Sequence, residues 1–209
     1  MYLPKHFQEM DIGSLLRLMR ARPLATLSIN GESGPIVNHV PLLAFRDGQS
    51  LVLRGHVARA NPLWRELGCE PQAVAVFHGD DAYVTPSWYP AKGEHGKVVP
   101  TWNYAVAHAR GRLRVEEDPA WLRALLTELT SEQESGFSLP WSMDDAPADY
   151  IEKLLSAIVG IELQVERLDG KFKLSQNQNE AARDGVSEGL ASRGDARAAA
   201  VAASMRQSS

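Results

Sequence analysis

Apolar residues recur at helical spacing after Asp11, where Ile12, Leu15, Leu16 and Met19 share one face. That pattern predicts a helix capped by Asp11 and stopped by Pro23. Alternation then takes over. Residues 24–29, 36–45 and 50–55 read as strands, divided by a turn cluster at Asn30, Gly31 and Gly34 and by a second turn at Asp47-Gly48. Residues 73–78 and 81–84 read as a hairpin about Gly79, and residues 98–115 as one long strand or two short ones. Asp118-Pro119 opens a second helix whose Trp121, Leu122, Leu125, Leu126 and Leu129 form an apolar stripe. A helix over 147–157 follows, and alternating Ile161, Leu163 and Val165 mark a strand over 158–168. From Gln178 the chain is helix-like and then Ala-rich. Strands that follow one another without intervening helices argue for an antiparallel sheet. The expected fold class is α+β, mainly β, with peripheral helices; residues 1–192 form its one domain and 193–209 an Ala-rich tail that frays.

Composition narrows the class. With 209 residues, 44% hydrophobic and 23% charged, the chain has enough apolar material for one sizeable core. A net charge of −4 and a pI near 5.9 give no support for a broad nucleic-acid surface. No helix-turn-helix, zinc-finger spacing or basic stripe is visible, so DNA remains a partner without a recognisable binding element. The single cysteine, Cys69, closes no disulfide within the chain, offers no metal frame, and reads as an inert thiol of a reducing compartment. The absence of a bilayer-length apolar run argues against a membrane, and the cytoplasm is the expected location.

Three segments carry candidate chemistry. In Gly55-His56-Val57-Ala58-Arg59-Ala60-Asn61-Pro62, Asn61 is placed to cap a helix that Pro62 begins. Such a helix start favours an anion, with Arg59 and His56 as added donors; the alternative is a capped helix whose Arg59 pairs with a surface carboxylate. The loops Thr85-Pro86-Ser87-Trp88-Tyr89-Pro90-Ala91-Lys92 and Val99-Pro100-Thr101-Trp102-Asn103-Tyr104 gather rings without helical spacing. They suit a planar heterocycle, a subunit interface or plain core packing. Lys92 reads as a phosphate partner or a solvated lysine. In the third segment, Lys171, Lys173 and Ser175 share a face if the chain is extended, either gripping a phosphate or forming a solvated edge, and Gln176 with Asn177 either meets a ligand or caps the next helix.

These segments also carry a family resemblance. Met1-Tyr2-x-Pro4-x-His6-Phe7, Asn38-His39-x-Pro41, Gly55-His56-x-Ala58-Arg59-Ala60-Asn61-Pro62, Tyr83-x-x-Pro86-x-Trp88-Tyr89, Val99-Pro100-Thr101-Trp102-Asn103-Tyr104, Ile158-x-Gly160-Ile161-Glu162 and Lys171-x-Lys173-x-Ser175-Gln176-Asn177 resemble the PaiB-type FMN-binding negative transcriptional regulators. The resemblance implies a split β-barrel related to pyridoxamine phosphate oxidases, with FMN between the subunits of a homodimer. It implies that His56, Arg59, Ala60 and Asn61 hold the phosphate end, with Lys171 or Lys173 reaching in from the other subunit. Asn38 and His39 would face the ring or ribityl chain, Trp88, Thr101, Trp102 and Asn103 would complete the pocket, and Lys92, Ser175 and Gln176 would add contacts. Thr85 departs mildly from the serine common at that position. A regulator is the reading the resemblance implies first; a flavin-dependent oxidoreductase and a haem-binding protein are the alternatives, and no catalytic residue is assigned.

Overall fold

The structure is a computed structural model describing residues 1–32, 34–48, 50–67 and 71–207; Cys69 lies outside the described residues. Strand and helix each take 38% of the described residues. Helix α1 (Ile12–Ala21) starts where expected: the Asp11 carboxylate accepts from the amides of Gly13 at 3.1 Å and Ser14 at 2.9 Å. The other helices are α2 (Ala91–Glu94), α3 (Pro119–Glu134), α4 (Ala148–Ser156), α5 (Glu180–Ser192) and α6 (Ala196–Gln207). The strands are β1 (Gln8–Glu9), β2 (Leu24–Gly31), β3 (Gly34–Pro41), β4 (Leu43–Asp47), β5 (Ser50–Ala58), β6 (Gln72–Val84), β7 (Thr101–Glu116) and β8 (Ile158–Lys173). The antiparallel sheet with peripheral helices is the fold class the sequence predicts.

The chain divides into two compact units, one of residues Met19–Phe77 and Ala109–Leu168, the other of Met1–Leu18, His78–His108 and Asp169–Ser209. In the first, the strand order is β3-β2-β6-β7-β8-β5-β4. Leu27, Leu53, Phe77, Leu113, Ile161 and Leu163 are its fully buried core. Helices α3 and α4 close over a smaller cluster of Leu122, Ile151 and Leu155, and Asp118 caps α3 by accepting from the Ala120 amide at 3.1 Å. In the second unit, β1 pairs with β8 through Gln8 and Lys171. There α5 and α6 bury Val186, Leu190, Val201, Ala202 and Met205 against Val84 and Leu174. The stretch expected as a fraying tail therefore carries a helix with a buried face.

Two further expectations change. Residues 72–84 form one strand rather than a hairpin about Gly79. Gly79 marks a close approach, not a turn: a Cβ there would stand 2.9 Å from Leu18 Cδ1 and 3.2 Å from the Ala105 carbonyl. The single strand expected over 36–45 breaks at Leu42, whose amide turns away to the Pro23 carbonyl at 2.9 Å. β3 then pairs with β2, and β4 with β5. Residues 101–116 form one strand, the longer of the two options, and β8 runs on to Lys173.

One ion cluster ties three strands together. Glu162 on β8 is almost fully buried and accepts from Arg54 Nε of β5 at 2.7 Å and pairs with Arg114 Nη2 of β7 at 2.8 Å. Burial pushes its carboxyl upward, but the bonds and charges of the two arginines outweigh that and hold it below the ordinary glutamate value. A depressed folded-state pKa adds stability above the ordinary carboxylate range that is lost as pH falls through the folded value. Urea unfolding at successively lower pH should therefore show a decline that E162Q flattens, with the variant losing roughly 1.5–3 kcal/mol near neutrality.

Packing around Gly189 gives a second expectation. A Cβ at this position would lie 2.3 Å from Trp88 Cδ2. Alanine favours a helix by about 1 kcal/mol over glycine, so propensity alone predicts that Gly189→Ala stabilises. Steric conflict with the indole outweighs it: a net loss of about 1–3 kcal/mol is expected in thermal unfolding, with a gain refuting the packing.

Candidate functional site

The sequence candidates fall into two groups, one in each unit. In the first, Asn38, His39, His56, Ala58, Asn61 and Ile158 border an open concavity of about 310 Å³. His56 reaches it because β5 pairs with β8 in a register that sets His56 opposite Gly160, two residues from the Arg54–Glu162 pairing. Asn61 is pinned from both ends of its amide: Nδ2 donates to Asn38 Oδ1 at 2.7 Å, and Oδ1 accepts from the Leu63 amide at 2.9 Å. His39 and Ala60 are exposed. His56 Nδ1 is buried and has no hydrogen-bond partner among the described residues. Burial also pushes the His56 pKa below the ordinary imidazole value, so the ring is neutral, with one N–H and one acceptor nitrogen.

The anion cradle expected at Arg59 takes a different form. Arg59 Nη1 pairs with Glu117 Oε2 at 2.5 Å, Nε donates to the Ser156 carbonyl at 2.9 Å, and Nη2 donates to that of Ile158 at 3.1 Å. Of the two readings of Arg59, pairing with a carboxylate is the one observed. The helix that Pro62 begins is a single 3-10 turn of four residues, Pro62–Arg65, too short to sum a sizeable dipole. Arg59 instead braces residues 59–61 against the end of α4 and the start of β8.

In the second unit Thr101, Lys173 and Ser175 line a cavity of about 320 Å³ with Phe7, Tyr89 and Lys97. Lys173 Nζ donates to Thr101 Oγ1 at 2.6 Å and to the Trp102 carbonyl, and lies over the Phe7 ring. Desolvation, and then the charge of Lys171, lower its pKa. Lys171 is buried, donates to the Tyr2 carbonyl at 3.2 Å and sits over the Tyr2 and Tyr104 rings. Trp102 is 53% exposed and meets Tyr83 edge to face at 5.9 Å between centroids.

Four candidates are committed elsewhere. Asn103 is fully buried and donates to Ser175 Oγ at 3.0 Å and to Met205 Sδ at 3.4 Å, so it stabilises the interior beneath α6. Gln176 folds back on its own turn, accepting from the Leu174 amide at 2.7 Å and donating to the Phe172 carbonyl at 2.6 Å. Trp88 packs on Gly185 and Gly189 of α5, and exposed Lys92 donates to Ser87 Oγ at 2.8 Å. Neither Gln176 nor Asn177 caps α5; Asn179 does, accepting from the Ala182 amide at 2.9 Å. Ser175 adopts φ +66°, a left-handed backbone that aims its hydroxyl inward at Asn103. Sequence reasoning passed over Lys97, whose signal is the adjoining Gly96 at φ +68°.

Set beside known proteins, residues 1–167 match the family described as "Putative FMN-binding domain". The fold and the match define the class: the chain belongs to the FMN-binding family of PaiB type, and its cofactor is FMN. Protease synthase and sporulation protein PAI 2 of Bacillus subtilis is 30% identical over 180 residues, 86% of this chain and 84% of that protein. A protein of Emericella nidulans is 35% identical over 226 residues, 91% of this chain and 90% of its own length. The fold is shared with the flavocytochrome Anf3 from Azotobacter vinelandii at TM-score 0.61 and 16% identity, covering 82% of this chain and 72% of that one. It is also shared with the FAD and heme binding protein from Mycobacterium smegmatis at TM-score 0.58 and 20% identity, covering 79% and 73%.

The residues present fit a flavin. An unpartnered buried imidazole nitrogen calls for a ligand or water partner, and the amides of Asn38 and Asn61 beside it match the carbonyls, N–H and hydroxyls of a flavin rather than its phosphate dianion. Titrating the imidazole C–H resonance of His56 by NMR should give a midpoint below the free-imidazole value, and H56Q should remove that resonance from the spectrum. A midpoint at or above the ordinary value would contradict the desolvated environment.

Proposed function

We propose that this chain is a cytoplasmic, homodimeric FMN-binding regulator of the PaiB type. The observation that carries the site is His56 Nδ1, buried, unpartnered and bordering the concavity of Asn38, His39 and Asn61. These four side chains take the ring edge or ribityl hydroxyls. At about 310 Å³ the concavity is at the lower end of the ~300–1,000 Å³ that small-molecule sites span. A second copy of the chain supplies the remainder. The cations needed by a phosphate stand in the other group of candidates, at Lys171 and Lys173. Exposed Tyr83 and Trp102, at 41% and 53%, are the apolar surface that a subunit contact covers.

Bound FMN supplies one- and two-electron transfer at the site. The protein's own groups orient and tune. His56 stays uncharged through burial, so it donates or accepts without adding net charge beside the ring. Asn61, fixed by Asn38 and by its own turn, holds an invariant amide direction. Lys173 is less proton-avid than a solvated lysine and needs an anionic neighbour to keep its charge. Since the chain is acidic overall, regulation acts through the flavin-loaded protein surface rather than through a dedicated base-reading helix.

Purified protein should be yellow and bind FMN by calorimetry with one flavin per chain, as a dimer in light scattering. H56L should weaken FMN at least about ten-fold, or about 1.4 kcal/mol, with circular dichroism unchanged. Colourless protein that takes up no added FMN would end this reading. Rapid bleaching by NADH without oxygen would shift the role from regulator to reductase.

A further inference from the structure

The α3–α4 segment presents apolar side chains that neither the core nor the proposed flavin site uses. Helix α4 has four apolar residues at positions 150, 151, 154 and 155, adjacent rows on the same side of the helix. Ile151 and Leu155 satisfy the core, whereas Tyr150 and Leu154 are 54% and 45% exposed. The connection between α3 and α4 adds Phe137, Leu139 and Trp141, exposed by 65%, 89% and 44%. Five large apolar residues within eighteen positions exceed the scattered exposure usual on a surface.

The loop that carries them is built firmly. The Phe137 amide donates to the Glu134 carbonyl at 3.0 Å, and the Trp141 amide to Glu134 Oε2 at 3.0 Å. The Ser142 amide donates to Asp145 Oδ2 at 2.7 Å, and Met143 and Ala146 pack on the Leu122–Ile151–Leu155 cluster. Ordering without burial costs conformational entropy in advance, as a preformed binding surface does.

Charge decides the occupant. Between Arg123 and Lys153 there are seven carboxylates and no Lys, Arg or His, in a chain whose net charge is −4; all other residues together carry +3. Glu152 is tied to Arg123 at 2.5 Å, but Glu128, Glu132, Asp144 and Asp149 are exposed and none forms an ion pair among the described residues. Such a surface repels the phosphates of nucleic acid and of anionic lipid. It complements a polypeptide that offers apolar anchors flanked by lysine and arginine. We infer that the α3–α4 surface, with Phe137, Leu139, Trp141, Tyr150 and Leu154 inside an acidic rim, docks a basic amphipathic segment of a partner protein. Helix-on-groove recognition of this kind places aromatic and aliphatic anchors in contact and uses the rim charges for steering.

The test uses the full-length protein with its flavin and two fluorescein-labelled amphipathic helical peptides, one of leucine and lysine, the other of leucine and glutamate. Anisotropy should show the lysine peptide binding at least about ten-fold more tightly than the glutamate peptide, a preference that added salt weakens. The double variant F137S/L139S should weaken the lysine peptide about ten-fold or more, while circular dichroism and FMN content stay unchanged. A second variant, D144N/D149N, should weaken it less and flatten the salt dependence. Equal binding of both peptides, or unchanged binding to F137S/L139S, would overturn the inference. Dissociation of a wild-type dimer into monomers on F137S/L139S would also overturn it, assigning the surface to a second copy instead.

Discussion

Glu162 is the constraint on which the larger unit is built. A carboxylate this deeply buried is tolerated only when its charge is matched, and here the match comes from the strands on either side, β5 through Arg54 and β7 through Arg114. Any slip of one residue along β5 or β7 would send an arginine to the opposite face of the sheet and leave the carboxylate uncompensated. The cluster therefore selects register rather than adding bulk stability. That register sets His56 opposite Gly160, and Gly160 has no room for a side chain, since a Cβ would stand 2.4 Å from Trp121 Cζ3. The position of the imidazole at the concavity is thus a consequence of an ion cluster two residues away on the same strand.

Electrostatics divide the candidate site. The first group sets the amides of Asn38 and Asn61 beside His56, whose imidazole burial holds below its ordinary pKa. The second contains the cations, where burial and then the charge of Lys171 lower the pKa of Lys173. Arg59 is the informative exception. It is the cation the sequence points to first, yet Glu117 and two backbone carbonyls already occupy its guanidinium, which makes it a brace for residues 59–61.

Much of this was readable along the chain, and what was not has a common cause. Local signals told the truth: Asp11 and Asp118 cap helices as their positions require, and Asn61 caps the turn that Pro62 begins. The Asn38-His39 and Gly55-to-Pro62 segments line one concavity although their motifs are separate in sequence. Where a residue answers to a distant neighbour, the chain alone does not show it. Gly79 has the composition of a turn, but the Leu18 side chain and Ala105 require its missing Cβ. Asn103 sits in a motif that holds two rings, but its partners are Ser175 and Met205, 72 and 102 residues away. Arg59 has Glu117 at a separation of 58 residues. Helix α6 reads as a weak Ala-rich tail because alanines recur all round it, on its buried face at Ala198 and Ala202 beside Val201 and Met205, and so give little periodic contrast until α5 is beside it.

The brace at Arg59 also connects the segment at the concavity to the acidic apolar surface. Its backbone amide donates to the Ala157 carbonyl at 2.8 Å and its Nε to that of Ser156, the final residue of α4. The helix that displays Tyr150 and Leu154 is therefore bonded at its C-terminal end to the strand end that positions Asn61. Contact alone is not coupling; coupling requires two arrangements of the shared element with different affinities at each end. The arrangement does fix what such coupling would involve. A partner that shifted α4 would first strain the Arg59 bonds, and through them the Asn61–Asn38 pair. By reciprocity, a ligand of the concavity that tightened residues 59–61 would favour one position of α4 by the same free energy. The four hydrogen bonds of Arg59 serve both ends.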